Sequence, residues 1–143
     1  MKRSLFVIAL GITFLILMTW AGTILTSIIP RHPTAQVQTA QAGNYQVTLQ
    51  VDPNPPLITQ PATLSIQVVS TVSHQFITNA RITLETSMET MDMGTDQADA
   101  KPQSNGTYRL KVLFSMSGPW QVRVLVTLPG AETQSTAFEV TVQ

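Results

Sequence analysis

The stretch that decides the fold is Tyr45-Gln-Val-Thr-Leu-Gln-Val51, in which apolar and polar residues alternate without a break. Successive side chains of a β-strand point to opposite faces, so this period of two predicts a strand with one buried face. β-Branched and aromatic residues, which suit strands, recur in alternation further along the chain. The later stretches of this kind are residues 62–68, 81–85, 107–114, 120–128 and 137–142.

Pairs of turn-forming residues separate several of these stretches. They are Asn105-Gly106, Gly118-Pro119 and Pro129-Gly130. Short strands divided by such turns are typical of a β-sandwich. We therefore predict an all-β, immunoglobulin-like antiparallel sandwich of about seven strands over residues 44–143. A small open barrel has the same strand rhythm and is the alternative.

The first part of the chain predicts a membrane anchor. Residues 5–29 are 25 consecutive residues without a charge, and a helix needs about 20 to cross a bilayer. The run is too long for a cleaved signal peptide, whose apolar region has about 7 to 15 residues. Because two bases precede the run and one follows it, the positive-inside rule places residues 1–4 in the cytoplasm and the sandwich outside it. Residues 30–43 are small and polar, and we expect a flexible tether there.

The composition excludes several classes of function. The chain has no cysteine, so disulfides, thiolate metal sites and a cysteine nucleophile are excluded. Charged residues make up 11% and the formal net charge is zero, so the sequence predicts no nucleic-acid partner. No constellation of nucleophile, base and paired carboxylates is visible, and we predict that the protein is not an enzyme.

The segment that could carry chemistry lies at residues 85–99, where Met88, Met91 and Met93 stand among five acids and no base. Thioether sulfur is a soft ligand that selects Cu(I), and nearby acids attract a cation. Met116 could add a fourth sulfur if its loop lies beside this segment. The alternative interpretation is structural, because methionine also fills gaps in a core or caps its edge.

Four short motifs resemble the YtkA-like domain family. They are Ala80-Arg-Ile-Thr-Leu84, Met88 to Gly94, Asn105-Gly-Thr-Tyr108 and Met116-Ser-Gly-Pro-Trp-Gln-Val-Arg-Val124. The resemblance implies a short N-terminal anchor followed by a small β-sandwich outside the cytoplasm. It extends to the FixH-type membrane proteins, which are linked with copper supply to haem–copper oxidases. By that likeness, Met88, Met91, Met93 and Met116 are candidate copper ligands.

The predicted function is therefore that of an anchored extracytoplasmic accessory domain in the cell membrane, with weak Cu(I) binding or delivery linked to assembly of a membrane oxidase. Its expected partners are the lipid bilayer, through residues 5–29, and an oxidase or another envelope protein. A module of the cell envelope that binds a protein partner without any metal is the alternative.

Overall fold

Nine β-strands form the part of the chain at residues 34–143. The computed structural model describes residues 11–13, which are helical, and residues 34–143. The strands are β1 Val37–Ala42, β2 Tyr45–Asp52, β3 Ala62–Ser70, β4 Arg81–Met88, β5 Asp96–Asp99, β6 Lys101–Pro102, β7 Thr107–Val112, β8 Gly118–Thr127 and β9 Gln134–Val142.

The strands make two antiparallel sheets, so the prediction of an all-β sandwich is confirmed, with nine strands in place of about seven. The first sheet has the order β1-β2-β3-β7-β6 and the second has the order β5-β4-β8-β9. The chain passes from one sheet to the other after β3, β5 and β7. All nine strands belong to one compact unit with its own core.

The predicted anchor at residues 5–29 and the predicted cytoplasmic segment at residues 1–4 lie outside the described residues, apart from residues 11–13. In the described part of the chain, no helix is long and apolar enough to span a membrane.

The first strand lies where the sequence predicted a flexible tether over residues 30–43. β1 pairs along its whole length with β2, from Val37 opposite Gln50 to Ala42 opposite Tyr45. A two-residue turn joins the two strands, and its first residue, Gly43, has a φ of 57° that favours glycine. The difference arises because the only apolar side chains that β1 turns toward the core are the small ones of Ala40 and Ala42. The strand is held by ladder hydrogen bonds, which composition does not reveal.

The core lies between the sheets and contains the apolar positions of the alternating stretches. Fully buried side chains of the first sheet are Val47, Leu49, Val51, Leu64, Ile66, Val68 and Tyr108. Those of the second sheet are Ile82, Leu84, Val122, Val124, Val126 and Val140. Burial of each such side chain contributes about 1.5–3 kcal/mol, so the two apolar faces specify the sandwich.

Tyr108 ties the first sheet to the segment that leads into β4. Its ring is 1% exposed, and its hydroxyl donates to the carbonyl of Ile77 at 3.0 Å. The same hydroxyl accepts a hydrogen bond from the backbone N–H of Ala80 at 3.1 Å. One buried oxygen therefore satisfies two backbone groups where the chain crosses to the second sheet.

We expect Tyr108→Phe to lower the free energy of unfolding by about 1–3 kcal/mol, because it leaves a part-buried backbone donor and a part-buried backbone acceptor without their partner. Urea denaturation of residues 34–143 measures the change. Tyr45→Phe is the matched control, since Tyr45 is only half-buried. Equal effects of the two substitutions would show that the Tyr108 hydroxyl has no special role.

Removal of β1 tests the revised boundary of the domain. A fragment of residues 43–143 should melt at a lower temperature than residues 34–143, because β2 loses its ladder partner. It should also self-associate, since an exposed strand edge pairs readily with another chain. Calorimetry and sedimentation velocity measure the two effects, and identical melting of both fragments would mean that β1 adds nothing to the fold.

Candidate methionine site at one end of the sandwich

The last residues of β4, β7 and β9 and the first residues of β8 meet at one end of the sandwich. Met88 at the end of β4 lies opposite Trp120, and Gly118 at the start of β8 lies opposite Val142. The loops at residues 89–95 and 113–117 leave from this end. We call it the methionine end, because all four candidate methionines lie on these strand ends and loops.

Met88 is half-buried and packs against the hydrophobic core. Its terminal methyl group lies against Gly118, where an added Cβ would stand only 2.9 Å from Met88 Cε. Gly118 also has a φ of 132°, which other residues rarely adopt. Glycine at this position therefore gives Met88 room to lie over the start of β8.

Met91 and Met93 lie in the loop at residues 89–95 and are 48% and 52% exposed. The backbone N–H of Met93 donates to the carbonyl of Met91 at 3.1 Å. The N–H of Gly94 donates to Asp92 Oδ1 at 3.3 Å. These short-range bonds shape a tight loop whose methionine side chains remain in contact with solvent.

An open cavity of about 370 Å³ lies under this loop and is lined by both Met88 and Met91. Its other lining residues are Ser87, Glu89, Thr90, Asp92, Gly94 and Thr95. Two of these are acids and none is a base, so the cavity carries negative charge. Methionines beside acidic residues are a set that suits a soft cation. Met93 is not among the lining residues.

Met116 is 37% exposed and belongs to the loop at residues 113–117. Its carbonyl accepts the indole N–H of Trp120 at 3.0 Å. The Trp120 ring in turn packs edge-on against Phe114, with the ring centroids 5.2 Å apart. The buried aromatic pair thus holds the backbone of Met116 in place. Met116 is two residues before Gly118, and Gly118 is the residue that Met88 contacts.

The four predicted methionines therefore share one end of the sandwich but not one cavity. Met88 and Met91 line the same cavity, and Met93 is not among its lining residues. Met116 is two residues before Gly118, which Met88 contacts. Over residues 11–13 and 34–143, no group of three or more His, Cys, Asp or Glu side chains could hold a metal ion. Sequence reasoning missed the role of Gly118, which it had taken only as part of a turn.

The methionine end also exposes apolar side chains that are not methionine. Ile58 is 44% exposed and Leu113 is 62% exposed. Ile58 belongs to this end because its backbone N–H donates to the carbonyl of Gln143, directly after β9, at 3.0 Å. Met91 and Met93 are exposed there too, so this end carries four exposed apolar side chains, two of which are adaptable methionines.

The model of the YtkA-like family matches residues 39–125, from within β1 to within β8. The chain belongs to the YtkA-like family. The matched range contains all four candidate methionines and the Tyr108 hydrogen bonds of this YtkA-like domain. No curated protein matches the chain.

The Met88 contact can be tested with Gly118→Ala, which we expect to lower the free energy of unfolding by about 1–3 kcal/mol through backbone strain and the close methyl contact. Combining it with Met88→Ala separates the two causes, since the second substitution removes the methyl group. Chemical denaturation of the four members of this cycle gives the coupling energy. Strictly additive costs would contradict the contact between Met88 and Gly118.

Proposed function

We propose that this YtkA-like domain is a membrane-anchored extracytoplasmic accessory domain that binds Cu(I) weakly through methionine thioethers and delivers it to a membrane oxidase. The observation that carries the proposal is the cavity lined by Met88 and Met91 beside two acids. A soft, monovalent ion is matched by thioether sulfur, and the carboxylates attract it without replacing the sulfur as ligand.

The positions of the methionines favour exchange of an ion over its storage. Met88 is held by the core, whereas Met91 and Met93 are about half exposed on a loop. An ion held by one fixed sulfur and one or more solvent-facing sulfurs stays accessible to a partner with more ligands. Transfer therefore requires only that the partner displace the exposed sulfurs first.

The first described residue of the domain also lies at the methionine end. Thr34 lies at the methionine end, since its hydroxyl accepts the N–H of Thr141 at 3.2 Å and its carbonyl accepts the amide of Asn54 at 2.8 Å. The resemblance to FixH-type proteins supports an oxidase as the partner.

The second candidate function is a protein-interaction module that uses no metal. The exposure of Ile58, Leu113, Met91 and Met93 at this end favours it. Methionine side chains adapt to varied partner surfaces, and exposed apolar groups at one end of a domain often mark a contact site. Both functions use the methionine end. The test must therefore distinguish the loss of thioether ligands from the loss of exposed apolar surface area.

A Cu(I) competition titration of residues 34–143 makes this separation. We expect the wild type to bind one Cu(I), and the variant Met88→Leu/Met91→Leu/Met93→Leu to bind at least about tenfold more weakly, because leucine keeps the bulk but removes the soft ligand. Circular dichroism and thermal melting establish that the variant is folded.

The control variant is Ile58→Ala/Leu113→Ala, which removes apolar area and leaves every sulfur in place. It should bind Cu(I) as the wild type does. Absence of Cu(I) binding by the folded wild type would sink the copper proposal and leave the interaction module as the working hypothesis. Met116→Leu then shows whether the fourth sulfur contributes, by a further loss of affinity.

A further inference from the structure

Three cations cluster on the outer face of the first sheet. Arg109 and Lys111 are two residues apart on β7, and both are exposed. Tyr108 before them is buried and Leu110 between them is half-buried, so Arg109 and Lys111 point away from the core. Lys101 of β6 lies directly opposite Arg109 in the antiparallel ladder, which puts it on the same face. All three residues are exposed. We call them the basic cluster.

None of the three cations forms an ion pair within the described residues. The ion pairs there join Arg81 to Asp99 at 2.8 Å and Arg123 to Glu85 at 3.7 Å, both on the second sheet. Hydrogen bonds from Arg81 and then from Thr83 lower the pKa of Asp99. The Asp99 carboxylate is thus already bonded to Arg81 and Thr83 of the second sheet.

The nearest acid on the same face of the first sheet is two strands away. Asp52 of β2 lies opposite Thr63 of β3, and Thr63 lies opposite Lys111. Two strand spacings put the backbones of Asp52 and Lys111 about 10 Å apart. Like charges placed directly opposite each other, as Lys101 and Arg109 are, also destabilise a sheet. The repulsion between Lys101 and Arg109 therefore lowers the stability of the sheet, and no acid on this face is close enough to offset it.

Protection of the sheet edge explains only part of this cluster. Lysine and proline on an edge strand discourage pairing with another chain, and β6 consists of Lys101 and Pro102. Lys111 lies beyond the end of β6, where β7 pairs with β3 alone and is itself the edge of the sheet. Arg109 has a strand on each side, because it pairs with both Ser65 and Lys101. A guanidinium inside the sheet does not protect an edge.

A cavity of about 450 Å³ lies among these side chains. It is lined by Thr63, Lys101, Gln103, Arg109, Leu110 and Lys111. Two ammonium groups, a guanidinium and a hydroxyl can donate to a ligand here, and none of the lining residues is an acid. Donors from three adjacent strands suit an anion with several acceptor oxygens, such as a phosphate group with a charge of about −1.5 to −2.

We propose that the basic cluster is a binding site for a phosphate group, carried either by a free phosphate or by an anionic lipid headgroup. The overall charge of the domain does not favour this ligand, since five bases and eight acids follow residue 33. Attraction of an anion must then come from Lys101, Arg109 and Lys111 at short range. The site lies on a sheet face, apart from the methionine loops, and does not depend on the proposed copper function.

Two probes distinguish the sources of the phosphate group. Inorganic phosphate titrated into residues 34–143 at constant ionic strength should shift the amide resonances of β6 and β7. Sedimentation with phosphatidylglycerol vesicles, beside phosphatidylcholine vesicles, tests the headgroup. Binding of phosphate alone identifies a free anion as the ligand, and binding to the anionic vesicles identifies the headgroup.

The decisive variant is Arg109→Gln/Lys111→Gln, and the matched control is Arg81→Gln/Arg123→Gln, which removes the same charge from the second sheet. We expect the first to weaken binding of the active probe at least about tenfold and the second to change it less than about threefold. The first variant should fold as well as the wild type, because it relieves repulsion with Lys101. Equal losses in both variants, or no binding of either probe by the wild type, would overturn the proposal.

Discussion

The ladder between β4 and β8 is the constraint on which the rest of the structure depends. It runs without interruption from Arg81 opposite Thr127 to Met88 opposite Trp120. In this register Ile82 and Leu84 face the core beside Val126 and Val124, and a slip of one residue would turn all of them toward solvent. Burial of these side chains fixes the register, and the register then fixes where β4 ends. The position of Met88 against the start of β8 is thus a consequence of core packing several residues away.

Most of the fold could be predicted from the alternating stretches, because a half-buried strand of the sandwich must place apolar residues on one face. The six stretches correspond to β2, β3, β4, β7, β8 and β9. The three strands that were missed are short or polar. Every residue of β5 is exposed and β6 has two residues, so neither leaves a periodic signal. β1 does not alternate either, but Gly43-Asn44 before the alternating stretch of β2 is a dipeptide typical of a two-residue hairpin turn.

The candidate site could be predicted only in part, since spacing in sequence does not give distance in space. The segment at residues 85–99 was correctly marked by its methionines, yet Met88 and Met93 have different surroundings. Met88 both packs against the core and lines the cavity, so the structural and the ligand interpretations each describe one side of it. The contact with Gly118 and the basic cluster depend on pairing between distant strands, and a single sequence holds no record of that pairing.

The two proposed sites use opposite electrostatics on different parts of one small domain. The acids Glu89 and Asp92 line the cavity beside the methionines, whereas Lys101, Arg109 and Lys111 line a cavity on the outer face of the first sheet. Because Arg81 and Arg123 pair with acids on the second sheet, those bases do not offset the negative charge near the methionine loop. A cation is therefore attracted to the strand ends and an anion to the sheet face. This segregation lets a protein with almost no overall charge present two charged surfaces, and it lets each be changed by substitution without altering the core that supports both.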